Sequence, residues 1–135
     1  MKRFLNHTGA IIGIIAFYFL MEYFIFQPSI INSKVEKIED SFKGEIIEIY
    51  AVRNTPPTHI KLKSSDKIIK ISPSKQFIEN AEVGDSVIKK GDETSIYLKK
   101  DNQIEEFTFI ELSPDNFDHR DFPKHLKKKL YNEFE

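Results

Sequence analysis

Residues 9 to 26 read GAIIGIIAFYFLMEYFIF, eighteen positions with a single charge, Glu22, and nothing else in the chain resembles them. A helix of that length covers roughly 27 Å, about the hydrocarbon thickness of a bilayer. The stretch therefore predicts a transmembrane helix and a single-pass membrane protein. Five Ile, one Leu and four Phe in it favour insertion by roughly 3 to 6 kcal/mol together, against about 3 kcal/mol for a central acid. Glu22 lies four residues from the exit, where a side chain reaches the interface and that cost falls.

A cleaved signal peptide has an apolar core of about 7 to 15 residues and small residues at its cut site. Lys2 and Arg3 supply a charged start, but the apolar run is longer and leaves through Tyr23, Phe24, Ile25, Phe26, Gln27 and Pro28. The span is therefore expected to remain as a signal-anchor. Within it, Gly9 and Gly13, with Ala16 about one turn on, are spaced for close approach of a second helix. Glu22 has two uses: a contact to a partner helix, or an interfacial side chain. Such spacing is common in apolar stretches, so a homo-oligomer is not strongly indicated.

Lys2 and Arg3 adjoin the span, whereas the first cations after it are Lys34 and Lys37. Positive-inside bias then expects residues 1–8 in the cytoplasm, 9–26 across the cell membrane, and the soluble domain on the non-cytoplasmic side. The chain has no cysteine, which is compatible with either compartment. Without Lys2, Arg3 and Glu22, the remaining chain holds 18 basic and 20 acidic residues, a net of −2. That balance makes no case for nucleic acid, which needs a basic face. Residues 27–135 are enough for one small domain.

Residues 27–43 read as a juxtamembrane helical neck. Ile31, Val35, Ile38 and Phe42 line one side of a helix, and Ser33 with Glu36 fits a capping box. Little more than one heptad is present, so the stripe is expected to dock on its own domain. From Gly44 the pattern turns to strands. Residues 45–52 are rich in β-branched and aromatic side chains, and Gly44 suggests close backbone approach. Residues 59–63 and 68–71 form a hairpin across Ser64-Ser65-Asp66-Lys67, which Pro73 ends. Residues 74–81 connect, with a helical turn that buries Phe77 and Ile78. Strands at 86–89, 96–99 and 104–110 follow, joined by turns at Gly91-Asp92-Glu93 and Lys100-Asp101-Asn102. Six closely spaced strands predict a mainly β domain over 44–112: a small six-stranded antiparallel barrel, OB- or SH3-like, with one open end covered by the neck or the C-terminal segment.

The stretch Val83-Gly84-Asp85-Ser86-Val87-Ile88-Lys89-Lys90, with Ile96-Tyr97-Leu98-Lys99-Lys100 after a turn, resembles a group of small bacterial proteins. These have one N-terminal membrane segment and a compact β domain. The likeness covers roughly residues 44–110 and rests on the V-G-D-S-x-x-K-K core. It implies a bacterial envelope protein and no particular activity. Gly84 and Asp85 are also explicable as turn chemistry, glycine permitting positive φ and aspartate bonding the backbone.

Residues 113–135 read as a polar linker and a C-terminal amphipathic helix. Asp115, Asp118, His119 and Asp121 are metal donors by type, but the calcium-loop pattern and zinc-like histidine spacing are missing, so no metal and no cofactor are expected. In the last segment Leu126, Leu130 and Phe134 recur every four residues, with Lys127, Lys128 and Lys129 largely opposite. Asp121 can cap this helix and Pro123 fits its first turn. Lys124, His125, Lys127, Lys128 and Lys129 are the candidate contacts to a membrane surface or a partner. The chain has no G-x-S-x-G elbow, paired histidines or phosphate-cradling glycine loop, and it does not read as an enzyme. The expected function is a membrane-anchored binding module that docks another envelope protein or a cell-surface ligand. A structural subunit acting through its span is the alternative, and an envelope hydrolase the most remote one.

Overall fold

The structure, a computed structural model, describes residues 2–131, with side chains from Thr8 onward. One helical rod begins the chain: α1 (Lys2–Met21), a single π-helical turn (Glu22–Phe26) and α2 (Gln27–Glu39) follow without a break. An eighteen-residue window in its Thr8–Glu39 portion has mean hydropathy 2.0 and none of it is buried. The rod is thus long and apolar enough to cross a membrane, and that window is not the core of a globular fold. Pro28 does not end it. Proline lacks an N–H and crowds the carbonyl four residues back. The π turn loosens the ladder just ahead of it, with the Gln27 N–H donating to the Glu22 carbonyl.

Two features of the expected neck are corrected by this continuity. Ser33 caps nothing, because it lies inside α2 rather than at a helix start. Phe42 is no part of the stripe; the helix closes at Glu39, and Phe42 opens the first strand.

Six strands follow: β1 (Phe42–Tyr50), β2 (His59–Ser64), β3 (Lys67–Ile71), β4 (Ser86–Lys89), β5 (Ser95–Lys100) and β6 (Gln103–Thr108). They form one antiparallel sheet in the order β3-β2-β1-β4-β5-β6. The expected closed barrel is corrected to an open sheet, since β3 and β6 are its two edges. The connection from β3 to β4 carries a short helix, α3 (Lys75–Asn80), capped by Ser74. Phe77 on that helix is fully buried and packs edge-on against Phe107 of β6 at 5.2 Å.

Two local devices bend the sheet around this core. A bulge in β1 between Ile46 and Glu48 leaves Ile47 unpaired and exposed, which raises local twist. At Gly44 a Cβ would stand 2.9 Å from the Lys63 carbonyl oxygen and 3.1 Å from the Leu62 Cβ. Only glycine lets β1 and β2 approach so closely.

The apolar side chains form two clusters. The first lies on one face of the sheet and joins Ile46, Ile60, Leu62, Val87, Ile96 and Leu98 to Phe77. The second joins Ile31 and Ile38 of α2 to Ile110, Phe122, Leu126 and Leu130. Phe109 packs against both. Residues 113–123, expected as a solvated linker, help build the second cluster. They contain α4 (Pro114–Asp118), whose capping box pairs Ser113 with Asn116, and they bury Phe122. The C-terminal helix α5 (Lys124–Tyr131) buries Leu126 and Leu130 against the α2 stripe rather than the sheet. Phe134 and the side chains of Lys2 and Arg3 lie outside the described residues.

Candidate functional site

The end of the long helix is gripped by the connection between β4 and β5. Lys89 is 2% exposed, and its Nζ donates to the carbonyl oxygens of Ile38 at 3.1 Å, Asp40 at 3.2 Å and Lys90 at 2.5 Å. The last carbonyls of a helix have no partner within it, and an ammonium group supplies three donors of favourable sign. The Asp92 N–H adds a second bond to the Ile38 carbonyl at 2.8 Å. Burial holds the Lys89 pKa below the usual lysine range, against the pull of Glu93, Asp40 and Asp92. These contacts make the helix end part of the domain rather than a tether to it.

Helix α5 is held to that same end. His125 Nε2 lies 3.3 Å from the Glu39 carboxylate, and Lys129 Nζ lies 3.5 Å from that of Asp92. Of the five residues singled out on this helix, His125 and Lys129 are therefore engaged in exposed ion pairs with the domain. The other three, Lys124, Lys127 and Lys128, are brought together at a surface notch. Its floor is Leu112, Pro114 and Phe117, and Tyr131 and Lys127 close it to about 460 Å³. Lys124 and Lys128 extend its rim beside Tyr131. Asp118 also lines the notch, so its apolar, aromatic floor has one carboxylate at its wall and three lysines along the α5 side; that side suits an apolar anchor flanked by a carboxylate. Sequence spacing predicted the lysines but not the floor, because Leu112 and Phe117 belong to a segment whose periodicity is hidden by proline and by four acidic or basic neighbours.

Distance from the apolar span separates the two uses considered for these lysines. Glu39 is thirteen residues beyond Phe26 along one helix, which is roughly 20 Å. Helix α5 is anchored at that far end.

A second groove, of about 720 Å³, runs beside β5 and β6 and is lined by Glu93, Ser95, Tyr97, Glu106, Thr108 and Glu111. Tyr97 Oη donates to Glu93 Oε2 at 2.9 Å, and Ser95 Oγ to Glu106 Oε1 at 2.5 Å. The first bond joins β5 to the turn before it and the second joins β5 to β6, so hydroxyl groups and carboxylates here satisfy one another. Sequence reasoning missed this groove because the pairing of Tyr97 with Glu106 and of Ser95 with Thr108 depends on register.

In the span, the Gln27 side-chain amide donates to Glu22 Oε1 at 3.0 Å, within the π turn. Glu22 thus has a partner on its own helix. Gly9 and Gly13 have open space around them. Among the described residues no three His, Asp or Glu side chains gather as a metal site.

The turn at Val83-Gly84-Asp85 is built by its own atoms. Gly84 has φ +100°, Asp85 Oδ2 accepts from the Glu82 N–H at 2.9 Å, and Lys100 lies 3.1 Å from Glu82 and 3.6 Å from Asp85.

Comparison with known proteins finds no matching family model, no matching curated protein and no matching solved structure.

Proposed function

We propose that this chain is a membrane-anchored binding module of the bacterial envelope, which docks another envelope protein through the notch between α4 and α5. The notch itself carries the proposal. It joins an apolar floor of Leu112, Pro114 and Phe117 to Lys124, Lys127 and Lys128 on the α5 side, with Asp118 as the one carboxylate in its lining. The partner then offers an apolar side chain inserted against Phe117 and Tyr131, with Asp or Glu beside it to meet the lysines.

Three further observations favour a protein over lipid headgroups at this position. The rod lifts the α5 anchor points about 20 Å past the apolar stretch. The Lys89 clamp and the second apolar cluster hold α5 there. Tyr131, 63% exposed at the rim, is a residue type enriched in protein interfaces. The order of the first five strands, with β1 between β2 and β4 and a helix between β3 and β4, is that of an OB-type sheet left open. That likeness fits a binding module, as an analogy of fold only. In this proposal the domain stands on the non-cytoplasmic side, with α1 as its signal-anchor.

The test is photo-crosslinking in native membranes from a reactive residue at Tyr131, compared with one at Ile68 on the opposite sheet edge. A single adduct from position 131, lost when Lys124, Lys127 and Lys128 become Glu, supports docking at the notch. Equal yields from both positions, or adducts indifferent to the charge reversal, argue against it.

A further inference from the structure

The segment between α4 and α5 touches the long helix at one place far from the Lys89 clamp. The Arg120 guanidinium carbon lies 4.7 Å from the centre of the Tyr23 ring and 5.7 Å from that of Phe24. Arg120 Nη1 donates to Tyr23 Oη at 3.3 Å, and Nε lies 3.8 Å from the Asp121 carboxylate. Its side chain remains half exposed. Tyr23 and Phe24 stand in the last turn of the apolar stretch, at the position where aromatic side chains collect at a membrane interface. A cation stacked on these rings is therefore held in the headgroup layer, and it cannot sink past the rings without leaving its hydrogen bond.

We infer that Arg120 is a binding residue for the phosphate of a membrane phospholipid, on the leaflet from which the domain emerges. The inference rests on the reading of α1 as a transmembrane span. The chemistry favours phosphate over other lipid groups. A guanidinium is a planar fork with five N–H donors, matched to a phosphodiester's paired oxygens. Tyr23 takes one of those donors, Asp121 lies 3.8 Å from Nε, and the half-exposed side chain presents its remaining N–H groups to a phosphate. The cation–π contact and the phosphate do not compete, because the ring attracts the positive charge without using N–H donors, which phosphate takes. Together with the clamp at the far end of α2, this contact would seat the domain at two points, one on the rod and one on the bilayer surface.

The test uses the full chain with Arg3→Lys and Arg53→Lys, which leaves Arg120 as the sole arginine. Its guanidinium carbon is labelled with carbon-13. The chain is placed in vesicles of phosphatidylethanolamine and phosphatidylglycerol, in phosphate-free buffer. Flotation first shows whether it resides in the bilayer, and dipolar dephasing of the carbon by lipid phosphorus-31 is then measured. Strong dephasing is expected, and it should disappear from the label of the same chain in detergent micelles lacking phosphorus. Adding inorganic phosphate to those micelles should not restore it. Restoration there to the vesicle level would assign the site to free phosphate and overturn the lipid assignment. A chain that floats yet shows no dephasing overturns the inference alone. A chain that fails to float overturns the span and the inference with it.

Discussion

Lys89 Nζ donates to the main-chain carbonyl of Ile38 at 3.1 Å, so that a strand residue completes the last turn of a helix fifty-one positions earlier in the chain. The bond explains a domain without a hinge. A chain whose rod merely touched the sheet would swing; here the rod's terminal carbonyls are satisfied from within the sheet.

Replacing this lysine with methionine keeps most of the volume and removes the three donors. Lys89→Met should lower stability by about 1 to 3 kcal/mol, the cost of leaving buried acceptors unpaired, in urea unfolding of the detergent-solubilised chain. The pH dependence has a definite sign. Burial holds the folded-state pKa below 10.5, so in that window the unfolded chain binds more protons at this site. The stability of the original chain relative to Lys89→Met should therefore rise as pH climbs through the folded-state pKa toward 10.5, and be smallest below it. A relative stability that falls over that range would contradict the burial argument.

Gly44→Ala and Gly84→Ala should separate two kinds of glycine requirement. At Gly44 the new Cβ meets backbone at 2.9 Å, an overpacking that costs about 1 to 3 kcal/mol. At Gly84 space is open but φ is +100°, a strain on the order of 1 kcal/mol. Thermal unfolding should place Gly44→Ala below Gly84→Ala.

Leu126→Ala and Ile38→Ala delete facing members of the second cluster, in which both are fully buried. Each should destabilise by about 2 to 5 kcal/mol. Their double mutant should lose less than the sum, because the two sites share one cavity. Additive losses would mean that α5 and α2 do not pack on each other.

The orientation proposed for the domain predicts the labelling of a single cysteine at Lys128, in a chain that has none of its own. A membrane-impermeant maleimide added to cells with a permeabilised outer layer should modify it without lysis. Modification only after lysis would put the domain in the cytoplasm.

Much of this fold was legible in the sequence where one physical signal dominated. Apolar length marked the span. Alternation marked His59 to Lys63, and turn chemistry at Ser65 and Asp101, both at positive φ, marked two hairpins. Gly44 was readable as a close approach. Closure was not readable, because whether β3 and β6 meet depends on the twist of the whole sheet, which alternation within single strands does not encode. The neck was misjudged at both ends for a related reason. Ser33 and Glu36 resemble a helix start locally, while the π turn that lets the rod run through Pro28 leaves no compositional mark. The site divided along the same line. Lys124, Lys127 and Lys128 were visible as a charged face, but the floor beneath them is assembled from Leu112, Pro114 and Phe117, which only tertiary packing brings to α5.

Rigid mounting of the domain on the rod is best tested by the distance between spin labels at Ile30 and Ile104, both exposed, one on α2 and the other on β6. Measured by pulsed electron resonance on the full chain in lipid vesicles, the account predicts one narrow distance distribution, broadened by Lys89→Met. A broad distribution in the unaltered chain would contradict it, since the domain would then hang from the helix instead of being built onto its end.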